Sequence, residues 1–155
     1  MTRAYFSLGS NLGSRGENLA LGVATVSAGE AHRVSRVYQS EPVGGVAQDD
    51  FWNLVLEVRT TATPRELLGR AHDAERLAHR ARDVRWGPRT LDVDIIWIDG
   101  VNCDEEDLTV PHPRRLERCF VLVPWRELRQ DLVSEDDLGR ADGAVAVMGT
   151  LETLL

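Results

Sequence analysis

The feature that most constrains the fold is the order in which two hydrophobic periods follow one another along the chain. Alternating or continuous apolar runs predict strands over residues 3–8, 32–40, 51–59 and 91–98, and three-to-four-residue spacing predicts helices over 15–28 and 64–78. Leu19, Val23 and Val26 mark one face of the first helix. The second opens on Thr63 as cap, Pro64 in the first turn and Glu66 closing a capping box, and its apolar face runs through Leu67, Leu68, Ala71, Ala74 and Ala78. Strand, helix, strand, strand, helix, strand is the split β-α-β order of ferredoxin-like domains. The expected fold class is therefore α+β: a ferredoxin-like sandwich, with helices packed on the faces of a mostly antiparallel central sheet. Residues 121–132 are expected to pack as a short strand or helix. At 155 residues the chain reads as one domain, 1–155, with its core over about 3–128 and a peripheral C-terminal remainder.

The last of those strands is the unusual one. Leu91-Asp92-Val93-Asp94-Ile95-Ile96-Trp97-Ile98 is a buried apolar run interrupted by two acids, and it ends at an Asp99-Gly100 turn. Alternation puts Asp92 and Asp94 on one face with Cα atoms about 7 Å apart. Two negative charges beside a core require neutralisation. Divalent metal is the simplest match, since a carboxylate pair can hold two hard cations about 3.5–4 Å apart. Upstream, a Gly87-Pro88 turn delivers Arg89 to the same strand end. Acids for metal, arginines and a glycine-proline lead-in point to a polyphosphate site.

Charge agrees with a local anion site. The net charge is −7, yet residues 63–91 hold seven arginines against four acids, while 101–155 hold six against twelve. One basic patch on an acidic chain argues against general nucleic-acid binding. All 18 basic residues are arginine, so neither a P-loop lysine nor a Schiff-base lysine is available. Cys103 and Cys119 lack zinc or C-x-x-C spacing and read as reduced thiols of a cytoplasmic protein. No apolar stretch approaches membrane-spanning length, so no membrane partner is expected.

Other candidates stand along the chain. Gly9-Ser10-Asn11-Leu12-Gly13 after the first strand suits a tight turn or a phosphate loop. Asn53 offers donors and an acceptor to a heterocycle edge from within a strand. His112, held between Pro111 and Pro113, is a restrained donor.

The segment Arg85-Trp86-Gly87-Pro88-Arg89 followed by Asp92-Val93-Asp94-Ile95-Ile96 resembles the signature of the 6-hydroxymethyl-7,8-dihydropterin pyrophosphokinase family. Glu75, Arg80 and Arg82 ahead of it, and Thr109-Val110-Pro111-His112-Pro113 with Arg118 and Phe120 after it, extend the resemblance over residues 3 to about 128. The resemblance implies transfer of the diphosphate of ATP to the hydroxymethyl group of the dihydropterin, giving AMP, in folate biosynthesis. It implies two Mg²⁺ on Asp92 and Asp94, and catalytic roles for Arg80, Arg82, Arg89, Asp94 and His112. Glu75, Trp86, Arg89, Ile95, Thr109, His112 and Arg118 would contact ATP. Ser40, Pro42, Val43, Gly44, Phe51, Asn53, Trp86 and Phe120 would hold the pterin. The small-molecule substrates are then the expected partners, and the protein a monomer. Ser40, Glu41 and Phe51 stand where Thr, Pro and Tyr are frequent, and His72 and His79 where Gln and Gly are frequent. Two other readings stay open: a nucleotidyltransferase, which would release pyrophosphate, and a ferredoxin-like binding module without activity.

Overall fold

The computed structural model describes residues 1–42, 47–78 and 90–155. Five strands carry the frame: β1 (Thr2–Ser10), β2 (His32–Val34), β3 (Val37–Ser40), β4 (Phe51–Thr60) and β5 (Asp92–Ile98). A hairpin follows, β6 (Cys103–Glu105) and β7 (Leu108–Val110), and a last strand, β8 (Val145–Gly149). The helices are α1 (Arg15–Ser27), α2 (Pro64–Leu77), α3 (Cys119–Leu128), α4 (Glu135–Arg140) and α5 (Leu151–Leu154). The main sheet runs β5-β1-β4-β3-β8 with every pairing antiparallel, and β2 pairs β4 as well. This is the expected α+β arrangement, with helices on both faces of a mostly antiparallel sheet.

Alternation along the strands divides the interior in two. Ala4, Phe6 and Leu8 of β1 join Leu54, Leu56 and Val58 of β4 in a cluster with Leu19 and Val26 of α1 and Leu67, Ala71 and Ala74 of α2. Gly22 lets α1 lie close on the sheet, since a methyl group there would stand 2.7 Å from Leu8 Cδ2. On the opposite face Tyr5, Val55 and Ile96 pack against Val121, Leu122 and Trp125 of α3. The segment 121–132 is thus a helix followed by a 3₁₀ turn (Gln130–Leu132). Its helix covers one end of that face, and the other end carries polar residues.

The structure departs from expectation in two places. The strand expected over 32–40 is two, β2 and β3, both on β4. Between them the Ser35 N–H donates to the Val55 carbonyl (3.0 Å), and the Ser35 side-chain oxygen, instead of a backbone carbonyl, accepts the Val55 N–H (2.9 Å). The C-terminal stretch, expected at the periphery, adds β8 to the sheet beside β3, and Leu151 and Leu154 pack against the main core. The acidic run Asp104–Asp107 lies on the β6–β7 hairpin, where Arg65 pairs with Glu105 and with Asp107 (2.7 Å).

The α3 face also buries a charge. Glu57 is 1% exposed, accepts from Tyr5 Oη at 2.6 Å, and takes two hydrogen bonds from Arg33 (3.1 and 2.7 Å). Arg129 in turn donates to Tyr5 Oη and to Asp99. Burial pushes the Glu57 carboxyl up, but the bonds from Arg33 and Tyr5 outweigh it and hold the group below its ordinary value of 4.5. Burial, with the Glu57 bond, pushes the Tyr5 hydroxyl up to about 12. A depressed folded-state carboxylate contributes stability above its unfolded pKa, and that contribution is lost as pH falls through the folded value. Glu57→Gln is therefore expected to cost about 1–3 kcal/mol at neutral pH by weakening these charge-assisted bonds. It should also flatten the loss of stability below about pH 4.5. Urea unfolding at neutral and acid pH measures both effects.

Candidate active site

β5 turns its two acids to the same side. Val93 pairs with Leu8 and lies in the core, whereas Asp92 pairs with Gly9 and Asp94 with Ser7, facing away from it. Asp92 is half-buried and Asp94 is exposed. Across β1, Gly9 also pairs with Asn53 of β4, so Asn53, Gly9 and Asp92 form one row across three strands. A methyl group at Gly9 would meet Asn53 Oδ1 at 3.2 Å and Phe51 Cδ1 at 3.5 Å. The glycine therefore lets the Asn53 amide and the Phe51 ring pack close against β1. It lies within β1, not in the turn expected over residues 9–13, where Gly13 has the positive φ (+71°). Asn11 donates instead to Gln48 Oε1 (2.7 Å) and the Asp49 carbonyl (2.9 Å), tying the chain before β4 to the end of β1.

The acids suit a hard cation. Among the described residues no group of three or more His, Cys, Asp or Glu forms a closed cage. Two carboxylates leave most of the oxygen shell of Mg²⁺ to be filled by water and phosphate, as that ion requires. A structural zinc site would need thiolate or imidazole donors in a tetrahedron.

Two clefts meet at Asp94, and a third adjoins the second. The first, ≈ 420 Å³, is lined by Leu68, His72, Glu75, Asp94, Ile95, Thr109 and His112 between α2, β5 and β7. Glu75 is buried there and accepts the Val93 N–H at 3.0 Å, which ties α2 to the strand between the two acids. The second, ≈ 320 Å³, is lined by Ser7, Asp94, His112, Arg115, Arg118 and Phe120. The third, ≈ 380 Å³, holds Ser40, Glu41, Arg114, Arg118, Phe120 and residues 142–144. Asp94 and His112 line both the first and the second, and Arg118 and Phe120 both the second and the third. The result is a path from α2 to the end of β3 with the exposed acid in its middle.

Local bonding fixes what several groups offer. His112 Nδ1 accepts the Arg114 N–H (3.1 Å), which in the neutral ring leaves Nε2 carrying the hydrogen as a donor. The His112 N–H bonds the Ile96 carbonyl (3.1 Å), anchoring the histidine to β5. Asn53 Nδ2 donates to Ser40 Oγ (2.8 Å) and to the Tyr38 carbonyl (3.0 Å). The amide thus spends its donors on β3, and Oδ1 lies against Gly9. The Arg118 guanidinium lies 5.5 Å from the centre of the Phe120 ring.

Of the residues singled out in the sequence, Asp94, His112, Arg118, Phe120 and Ser40 line the clefts, and Asp92, Phe51 and Asn53 stand beside Gly9. Glu75, Ile95 and Thr109 line the first cleft, and Pro42 follows Ser40 by two residues. Val43, Gly44, His79, Arg80, Arg82, Trp86 and Arg89 lie outside the described residues. Sequence reasoning missed Ser7, which strand register brings beside Asp94, and the close packing of Asn53 and Phe51 on Gly9. It also missed residues 142–144, for which no local pattern is diagnostic.

A family model described as 7,8-dihydro-6-hydroxymethylpterin-pyrophosphokinase matches residues 5–130. The chain is 41% identical over 142 residues to the 2-amino-4-hydroxy-6-hydroxymethyldihydropteridine pyrophosphokinase of Bacillus subtilis, covering 90% of this chain and 85% of that one. To the protein of the same name from Mycobacterium tuberculosis it is 44% identical over 140 residues, with 81% and 71% covered. A crystal structure of Plasmodium falciparum HPPK-DHPS, wild type with SDX-DHP, matches at a TM-score of 0.57 and 13% identity. That match covers 99% of this chain and 43% of the longer one, and it is a likeness of fold.

Gly9→Ala, whose methyl would push on the Asn53 amide and the Phe51 ring, tests their placement. The added methyl is expected to weaken binding of a pterin probe about tenfold, about 1.4 kcal/mol, while ATP affinity stays unchanged. Calorimetry with each ligand separately reads the difference, and an unaltered pterin affinity contradicts a pterin-binding role for Asn53 and Phe51.

Proposed function

The chain belongs to the 7,8-dihydro-6-hydroxymethylpterin-pyrophosphokinase family, and from that premise we propose that the groove through Asp94 and His112 transfers the β,γ-diphosphate of ATP to the hydroxymethyl oxygen of 6-hydroxymethyl-7,8-dihydropterin. The products are AMP and the pterin diphosphate, an intermediate of folate biosynthesis. The observation that carries the reading is the meeting of the clefts at Asp94 and His112.

The adenosine end of ATP lies in the first cleft, against Ile95 and Thr109 and near Glu75. The pterin ring lies by Phe51 and Phe120, with Asn53 Oδ1 accepting from its edge and Ser40 and Pro42 beside it; Val43 and Gly44 are pterin contacts that the family resemblance implies. Magnesium held between Asp92 and Asp94, two ions in this reading, would supply charge neutralisation and alignment of the triphosphate oxygens. His112 Nε2–H donates to a phosphate oxygen, and Arg118 pairs with another. The hydroxymethyl oxygen forms its bond to the β-phosphorus as the bond from that phosphorus to the AMP oxygen breaks. The hydroxyl proton passes to the Asp94 carboxylate, and AMP departs with the electron pair of the broken bond. Arg80, Arg82 and Arg89 neutralise charge on the transferred group, and Trp86 shields the site from water, a competing acceptor. The protein works as a cytoplasmic monomer in this reading; among the described residues no helix is long and apolar enough to cross a membrane.

Incubation with ATP, Mg²⁺ and hydroxymethyl-dihydropterin tests the assignment by its products. AMP and pterin diphosphate are expected; pyrophosphate would instead indicate nucleotidyl transfer, and no turnover a binding module. Asp94→Ala is expected to lower turnover about a thousandfold, about 4 kcal/mol of transition-state stabilisation. Near-normal activity in that variant contradicts its role. Arg82→Ala should lower kcat far more than it changes ATP affinity, which single-turnover kinetics and equilibrium binding separate.

A further inference from the structure

Residues 141–145 lie beyond the 5–130 matched by the family model, yet they are bonded to both walls of the third cleft. At one end the Asp142 N–H donates to the Glu117 carbonyl (2.8 Å), and the Cys119 N–H donates to the Asp142 carbonyl (3.0 Å). These two bonds bracket Arg118, which pairs with Asp142 in a parallel bridge. Arg118 is the N-cap of α3, has extended backbone, and makes no side-chain capping bond, so its guanidinium is free of that duty and lies over Phe120. At the other end Val145 pairs with Ser40, and the β8 ladder continues through Ala146 with Gln39 and Val147 with Tyr38. Ser40 in turn receives Asn53 Nδ2. Between the anchors stand only Gly143, at φ +84°, and Ala144, both exposed and lining the cleft.

We propose that residues 141–145 form a strap that sets the width of the pterin cleft. The strap ties the wall bearing Arg118 and Phe120 to the wall bearing Ser40 and Asn53. Three peptide links join Asp142 to Val145, so these anchors stand no more than about 11 Å apart. The walls come from elements far apart in sequence; away from the cleft they are also joined by Tyr38 Oη and Arg36, which donate to Glu127 of α3. The strap bonds directly to both walls across the cleft. Its residues are positioning residues: main-chain bonds hold Arg118 and Ser40 at a fixed spacing, and the positive φ of Gly143 lets the chain cross in so few residues. The inference rests on the function proposed above and adds a determinant of pterin affinity and size.

Two variants test it: insertion of one glycine after Gly143, which lengthens the strap, and Gly143→Ala, which disfavours its backbone conformation but meets no neighbour within 4 Å. The insertion is expected to raise the pterin KM about tenfold, and Gly143→Ala about threefold, while kcat at saturating pterin stays within about threefold. ATP affinity, measured by calorimetry with a non-hydrolysable analogue, should be unchanged in both. A strap that merely stabilises the fold would lower the active fraction, hence apparent kcat, and leave KM alone. That result, an unchanged pterin KM in the soluble variants, or equal losses for both substrates overturns the proposal. If the insertion does not fold, the point variant decides. Wild-type protein that binds pterin but makes no AMP rejects the proposed reaction, and pterin calorimetry on the variants still decides for or against the strap.

Discussion

The structure depends on a single strand that faces two environments at once. β5 buries Val93 in the core under α1 and α2, and in doing so commits Asp92 and Asp94 to the opposite face. Carboxylates there are tolerable only where water or cations reach them. α3 therefore covers the face where Tyr5, Val55 and Ile96 offer apolar contact, and the other end stays polar. The first and second clefts meet at Asp94 in this uncovered part of the face.

Much of this arrangement was legible in the sequence because it is local. The periods of β1, α1, β4, α2 and β5 are short-range patterns, and the Thr63-Pro64-Glu66 start of α2 is written in adjacent residues; Glu66 N–H does donate to Thr63 Oγ1. The same-side placement of Asp92 and Asp94 follows from a spacing of two. The break between β2 and β3 was not legible, because it comes from one serine side chain bonding a backbone more than fifteen residues away. Nor was β8: Val145-Ala146-Val147-Met148 is short and flanked by acids and glycines, and its partner lies about a hundred residues upstream. Strand pairing at such separation has no local signature.

The site shows the same division. His112 between two prolines marked itself, but the bond from the Arg114 N–H that makes Nε2 the donor required coordinates. Asn53 was recognisable as an amide in a strand, while the commitment of its donors to Ser40 and Tyr38 was not. Gly9 carried a turn signal and serves as a close-packing position inside β1, a role that only its cross-strand neighbours reveal. The family resemblance read from residues 3 to about 128 agrees with the family model over 5–130. Both end before the strap that closes the third cleft.

Cation binding tests the central claim most directly. Mn²⁺ bound per protein can be counted by electron paramagnetic resonance in the presence of a non-hydrolysable ATP analogue, comparing the native chain with Asp92→Asn and Asp94→Asn. The account predicts two ions bound natively and loss or marked weakening of binding in each variant, with unfolding midpoints little changed. Equal manganese occupancy in all three proteins would contradict it.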